Sequence, residues 1–166
     1  GLYGVDYAAL TRGEGLTKSV IEAASRAGED LKELNLIIDD SESVTTGKIQ
    51  ADCDKYQPRL VIVDYLQLLD GERQRNERQD EELGRNTKRL KQIAKRTNAT
   101  VLTASQLNDK GKLFAARAIG HHCDTLFTIQ KEGVRTDKNR NGRRGGLLPL
   151  KLSGARQRFQ IYEQEV

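Results

Sequence analysis

A chain of 166 residues is the size of one domain and long enough to bury a real core. With 36% hydrophobic and 31% charged residues it reads as a soluble chain, and no apolar run approaches the ~18 residues of a membrane span, so no membrane partner is expected. The start of the chain lacks the basic-then-apolar pattern of a signal peptide, and Cys53 and Cys123 each sit inside a periodic apolar segment. They read as reduced core thiols rather than a disulfide or a metal pair, which implies a reducing, cytoplasmic compartment.

The net charge of +4 hides an asymmetry: residues 1–70 carry 13 acids against 7 bases, and residues 71–166 carry 11 acids against 21 bases. A split of that kind favours contact with a polyanion through the C-terminal part, the competing reading being an ordinary solvated face. The chain contains no methionine; an initiator Met can be removed, and it is together with the lack of a phosphate-binding loop that this is read as a sequence beginning partway through a larger protein.

In chain order, Val20, Ala24, Ala27, Leu31 and Leu34 make the stripe of an amphipathic helix over residues 17–34, with Thr17 as N-cap. Leu36-Ile37-Ile38 reads as a short strand and Asp39-Asp40-Ser41 as a turn. A second helix carrying Ile49, Cys53 and Tyr56 runs up to Pro58, which ends it. Residues 60–69 follow as a buried strand, and residues 71–82 are polar with no apolar face. Leu83, Leu90, Ile93, Ala94 and Thr97 mark a third helix from about 82 to 97, with Asn98 as C-cap. Residues 100–106 make the next strand, residues 108–118 a basic loop, and Cys123 to Gln130 a further strand. A Gly/Arg-rich turn spans 139–146, and residues 147–152 and 158–162 alternate like the arms of a hairpin around Ser153-Gly154. Helices alternating with buried strands, followed by a run of strands, indicate an α/β fold with a largely parallel sheet and an antiparallel edge.

The run Leu60-Val61-Ile62-Val63-Asp64 is the feature with chemistry in it. An apolar strand ending in an aspartate is how P-loop NTPases hold Mg²⁺ beside a nucleotide, yet no G-x-x-x-x-G-K-[ST] loop occurs in the 166 residues. In a parallel sheet ligands bind beyond the C-terminal strand ends, where Asp64 and Gln106 both stand. Asp64 there can hold a Mg²⁺-bound water, and Gln106 can sense a γ-phosphate or orient the attacking water. The competing readings are a carboxylate closing the strand-to-loop transition and a satisfied polar loop residue.

Four segments, taken together, resemble successive motifs of the DnaB-type replicative DNA helicases: Val63-Asp64-Tyr65-Leu66-Gln67-Leu68-Leu69, Lys88–Lys95 (KRLKQIAK), Ser105-Gln106-Leu107-Asn108 and Lys138-Asn139-Arg140-Asn141-Gly142. Order and spacing match as well, and Gly4–Asp40 is similar to the stretch between the family's catalytic-glutamate strand and a short strand ending in two aspartates. The resemblance implies a RecA-like P-loop NTPase core, mostly parallel with an antiparallel C-terminal hairpin and truncated at its N-terminus. Residues 1–166 would then be a partial helicase motor domain whose phosphate-binding loop and its strand lie upstream. In the family that strand is central, between the strand ending at Gln106 and the one ending near Gln130, so its absence would leave a gap with two exposed inner edges.

By position, the resemblance makes Asp64 the Walker B aspartate, holding Mg²⁺ through water, and Gln106 the residue that links nucleotide state to the DNA loop after it. Lys138 and Arg140 become a basic pair reaching into the neighbouring subunit's ATP site, the competing reading being two solvated charges. The loop 108–117 matches the family's channel loop, with Lys110, Lys112 and Arg117 neutralising phosphates of single-stranded DNA and Phe114 either stacking on a base or packing inward. Arg73, Arg75 and Arg78 read as a solvated helix start, with a channel-facing role as the alternative. His121 and His122 are a departure from the family and no metal site, because neighbours on a strand point to opposite faces and no third histidine exists.

The implied parent is an ATP- and Mg²⁺-dependent hexameric helicase that translocates on single-stranded DNA in a bacterial or phage-infected cell, with primase and a helicase loader as further partners. The chain alone is expected to be inactive. Two other readings stay open. One is a catalytically inactive, P-loop-less module that binds or regulates a helicase ring or DNA; the other is a strand-exchange relative, against which DYLQLL and KNRNG argue.

Overall fold

In the computed structural model of the chain, the described residues are 7–13, 15–70, 78–106, 116–153 and 158–161. They gather into two compact units, one made of residues 40–126 and 138–142, the other of residues 1–39, 127–137 and 143–166.

The first unit holds α3 (Thr46–Tyr56), β1 (Leu60–Val63), α4 (Gln79–Thr97), β2 (Thr100–Thr103) and α5 (Ala116–His122). α3 starts where Thr45 Oγ1 accepts the Lys48 N–H at 3.1 Å, and stops at Gln57, whose N–H makes the last helical bond, to the Cys53 carbonyl, and whose left-handed backbone (φ 48°) then turns the chain out of the helix. α4 opens with Glu81 accepting the Arg78 N–H at 3.2 Å and with Asp80, Glu81 and Glu82 in its first turn; Lys95 and Arg96 occupy the last, so both ends oppose the helix dipole. Arg78 is therefore a helix N-cap residue, and Asn98 (φ 54°) ends α4 as the sequence indicates.

β1 and β2 pair in parallel, Leu60 with Thr100 through Val63 with Thr103. One face of the pair carries Val61, Val63 and Val101 onto a core of Ile49, Cys53, Leu66, Leu69, Leu83, Leu90, Ile93 and Ile119. The opposite face leaves Leu60, Ile62 and Leu102 half or more exposed, and among the described residues β2 has no strand on its other flank. The apolar run expected as one strand over 60–69 is split. β1 ends at Val63, residues 66–68 form a short 3₁₀ turn, and Leu66 and Leu69 drop into the core instead of extending the strand. A short apolar run does not reveal by itself whether it is laid along a sheet or plugs the core beneath it. β2 likewise stops at Thr103, short of Gln106. Gly84 lets α4 and α5 approach closely, since a Cβ there would lie 3.0 Å from the Cβ of Ala118.

The second unit contains α1 (Tyr7–Arg12) and α2 (Lys18–Glu33), the latter capped by Thr17, whose Oγ1 accepts the Val20 N–H at 3.3 Å. α2 has the expected bounds but no fully buried side chain, and Leu31 and Leu34 are 53% and 58% exposed. Leu36-Ile37-Ile38 forms no strand: all three side chains are exposed and no described strand lies beside them, and an apolar run becomes a strand only where a neighbour completes its hydrogen bonds.

β3 (Thr125–Gln130), β4 (Gly133–Asn139) and β5 (Leu147–Leu148) make one sheet in that order, and β6 (Leu150–Ser153) pairs antiparallel with β7 (Arg158–Ile161). β4 had no counterpart in the sequence reading, and it changes the terminal hairpin. Leu147 and Leu148 pair with Arg135 and Val134, leaving only 150–153 to pair with β7. Gly133 makes that arrangement possible, because its φ of +142° suits glycine and a Cβ would collide with the carbonyl oxygen of Leu148.

The contrast between two leucines from equally regular stripes gives a test. Leu90 is 3% exposed and Leu31 is 53% exposed. Urea unfolding should show Leu90→Ala losing about 3 kcal/mol and Leu31→Ala less than about 0.5 kcal/mol.

Candidate functional site

The parallel register sets the C-terminal ends of β1 and β2 level, Val63 opposite Thr103, and two of the sequence-predicted residues follow those ends. Asp64 comes directly after β1 and Gln106 three residues after β2, both with exposed side chains. Hydrogen bonding continues past the strands. Thr103 Oγ1 and the Ala104 N–H both donate to the Val63 carbonyl, at 3.1 and 3.4 Å, and the Leu66 N–H donates to the Ala104 carbonyl at 2.9 Å.

Gln67 completes this junction, and sequence reasoning assigned it no role. Its Nε2 donates to Ser105 Oγ at 2.9 Å and its Oε1 accepts the Gln106 N–H at 3.4 Å, so one side-chain amide joins the turn after Asp64 to the residues on either side of Gln106's peptide. The available signal was a lone amide among the leucines of Leu66-Gln67-Leu68-Leu69, too polar for a residue expected in a buried strand.

Lys138 and Arg140, expected to act as a pair, are held differently within the chain. Lys138 Nζ donates to the carbonyls of Gly120 and Cys123 at 2.6 and 2.7 Å, holding the C-terminal end of α5 where a cation is favoured. Arg140 is tied by its backbone, its N–H donating to the Asp124 carbonyl at 2.9 Å, while its side chain stays 54% exposed. Arg140 Nη1 lies 3.0 Å from Asp124 Oδ1, an ion pair whose angle does not make a hydrogen bond, and Lys91 of α4 donates to Asp124 Oδ2. That bond from Lys91 holds the Asp124 carboxyl below its ordinary range; partial burial opposes it, and the charges of Lys91, Arg140 and Lys138 add to the lowering.

Of the predicted DNA-binding residues, Lys110, Lys112 and Phe114 lie outside the described residues, as do Arg73 and Arg75; Arg117 falls within α5, and its side chain is not among those described. His121 and His122 are the last residues of α5 and not part of a strand, so the opposite-faces argument does not apply to them; Cys123 follows the helix and β3 begins at Thr125. Burial pushes the thiols of Cys53 and Cys123 up, which keeps both protonated at neutral pH. A cavity of about 360 Å³ sits between the start of α3 (Thr45, Thr46, Gly47) and α4 (Arg89, Gln92), and none of Asp64, Gln106, Lys138 or Arg140 lines it.

The fold around this junction is that of a RecA-like ATPase domain. The solved structure of one such ATPase domain superposes with a TM-score of 0.82 at 17% identity, covering 97% of this chain and 67% of that one. A DnaB-like replicative helicase, solved in a study of its interactions with primase, gives the same score at 18% identity, covering 97% of this chain and 45% of that one. Residues 2–114 match the family model of the DnaB-like helicase C-terminal domain, and the chain belongs to that family.

Among curated relatives, the replicative DNA helicase DnaB of Nostoc sp. is 29% identical over 99 residues, and that of Leifsonia xyli subsp. xyli is 35% identical over 82 residues. The matches take in 56% and 47% of this chain and span 11% and 18% of those proteins. Asp64, Gln67 and Gln106 lie inside the family match, whereas Asp124, Lys138 and Arg140 lie beyond it.

Two outcomes are expected. Gln67→Leu removes both side-chain bonds, so amide exchange at Gln106 should quicken about fivefold, the equivalent of about 1 kcal/mol, as read by hydrogen–deuterium exchange. Because the Asp124 carboxyl is held below the usual 3.8, its contribution to stability is complete above that value and is lost as the pH falls through the lower, folded one. Melting temperatures from pH 5 to pH 2 should therefore fall less steeply for Asp124→Asn than for the unaltered chain.

Proposed function

We propose that this chain is the motor portion of an ATP-driven replicative DNA helicase that assembles as a hexameric ring and translocates on single-stranded DNA. The observation that carries the reading is the junction at the ends of β1 and β2, where Asp64 and Gln106 follow adjacent parallel strands and Gln67 ties their loops together. That is where an α/β sheet of this kind receives its ligand.

The residues present fit one side of an ATP·Mg²⁺ site. Asp64 would hold a water of the metal and Gln106 would face the terminal phosphate. The phosphate-gripping loop is not in the 166 residues, so it would come from polypeptide outside them, with a strand to lie beside β2. Among the described residues β2 has no strand on its other flank, which supports that expectation. Bound there, ATP and Mg²⁺ supply the free energy of phosphoryl transfer; this chain's residues orient the metal-bound water and sense the phosphate.

Arg140, exposed and charged, would reach the adjacent subunit's site, which makes hydrolysis depend on ring assembly. The segment holding Lys110, Lys112, Phe114 and Arg117 would follow the DNA backbone, in line with the basic C-terminal part of the chain. Primase and a helicase loader are the expected protein partners, in the cytoplasm of a bacterial or phage-infected cell. The alternative reading is a catalytically inactive module that joins or regulates a helicase ring or DNA.

Steady-state ATP hydrolysis, with and without single-stranded DNA, tests the reading in the full-length protein carrying this domain and in the 166-residue chain. The full-length protein should hydrolyse ATP with stimulation by DNA, Asp64→Ala should lower the rate at least about 100-fold, and the joint neutralisation of Lys110, Lys112 and Arg117 should abolish the stimulation. The chain alone should be silent. A silent full-length protein would establish the inactive module, and hydrolysis by the chain that survives Asp64→Ala would sink the assignment of Asp64.

A further inference from the structure

Resting on the reading of Arg140 as a residue that reaches an adjacent subunit, we propose that Asp124 is its positioning residue. The assignment comes from how the two cations are held. Lys138 is half-buried, and two of its three N–H donors are taken by the carbonyls of Gly120 and Cys123.

Arg140 is the opposite case. Its backbone is fixed by the bond to the Asp124 carbonyl, and its guanidinium touches the Asp124 carboxylate along one edge. With five N–H donors in a planar fork, a guanidinium held on one side still presents a second side outward. Asp124 is in turn held by Lys91, which projects from α4, the helix that packs under β1 and β2. The order of support is therefore α4, Lys91, Asp124, Arg140. A long, flexible arginine gains a defined starting position from it and keeps its outer face available. The lack of a hydrogen-bonding angle between Nη1 and Oδ1 suits this role, because the pair constrains position without saturating the guanidinium.

The test is a double-mutant cycle in the full-length protein, reading kcat and KM for DNA-stimulated ATP hydrolysis, with assembly checked by native mass. Asp124→Asn keeps shape and removes charge. It should lower kcat about 100-fold with KM for ATP within about twofold of the unaltered protein and assembly intact. The double variant Asp124→Asn/Arg140→Ala should be no slower than Arg140→Ala alone, because Asp124 acts through Arg140. In mixed assemblies, Asp124→Asn subunits should regain activity beside Asp64→Ala subunits, since each supplies what the other lacks. Asp124→Glu keeps the charge one methylene further out and should give an intermediate kcat, which serves if Asp124→Asn fails to assemble. Additive losses in the double variant, or an unchanged kcat in Asp124→Asn or Asp124→Glu, would overturn the positioning role while leaving the helicase reading standing. Full activity of Arg140→Ala would overturn the reading of Arg140 itself, and the inference with it.

Discussion

The parallel ladder between β1 and β2 is the constraint on which the candidate site depends. Four residue pairs fix the register, and with it the level at which two loops leave the sheet. Nothing in Asp64 or Gln106 alone brings them together, since they are far apart in sequence and both are exposed. The intervening helix makes the pairing possible: α4 spans the return from β1 to β2 and buries Leu83, Leu90 and Ile93 beneath the strands. Bonds beyond the ladder then bring the loops to fixed positions, ending in the bridge made by Gln67. A site that works by orienting a metal-bound water has to be held to fractions of an ångström, and a backbone register supplies that more directly than side-chain packing alone.

A second cluster works on a different principle. Lys91, Lys138 and Arg140 surround the single carboxylate of Asp124, three cations to one anion, so positive charge is left over. Two of the cations are committed to partners inside the unit, Lys91 to Asp124 and Lys138 to the carbonyls of Gly120 and Cys123. The excess is therefore presented by Arg140, whose side chain is more exposed than that of Lys91. A guanidinium paired on one side and exposed on the other is favourable to an incoming anion and costs little while it stays hydrated.

Which parts of this were legible in the sequence follows from what sequence patterns encode. The helix ends at Thr17 and Asn98 were readable because capping is local: a hydroxyl reaches an N–H three residues on, and an asparagine tolerates a left-handed backbone. That Asp64 and Gln106 both follow C-terminal strand ends was readable because such ends in an alternating α/β pattern fall at one edge, although Gln106 stands three residues past the end of β2 rather than at it. The split of residues 60–69 was not, since Leu66 and Leu69 look equally apolar in a strand and in a core plug. β4 was missed because Val134 to Asn139 alternates weakly and is mostly polar or charged, and its place between β3 and β5 is what makes it a strand. The difference between Lys138 and Arg140 was invisible for a related reason. It depends on where the end of α5 falls in space, and Lys138 and Gly120 are 18 residues apart.

Periodicity records which surfaces a residue pattern is suited to bury, and leaves open whether the surface that buries them belongs to the same segment. Leu60, Ile62 and Leu102 show this in the first unit, where one face of the β1–β2 pair is packed and the other is bare among the described residues. Two strands of four residues are marginal alone, so their stability rests on the covered face, on Val61, Val63 and Val101 against α3 and α4. In the second unit α2 has a regular apolar stripe and no fully buried side chain, and Leu36 to Ile38 has the composition of a strand without a ladder. Each of these segments carries the pattern of an interior element at the exposure of a surface one. That mismatch is a physical statement about this segment: its hydrophobic free energy is only partly realised by its own contacts, and covering Ile62 and Leu102 would stabilise the same strand pair whose ends lead to Asp64 and Gln106.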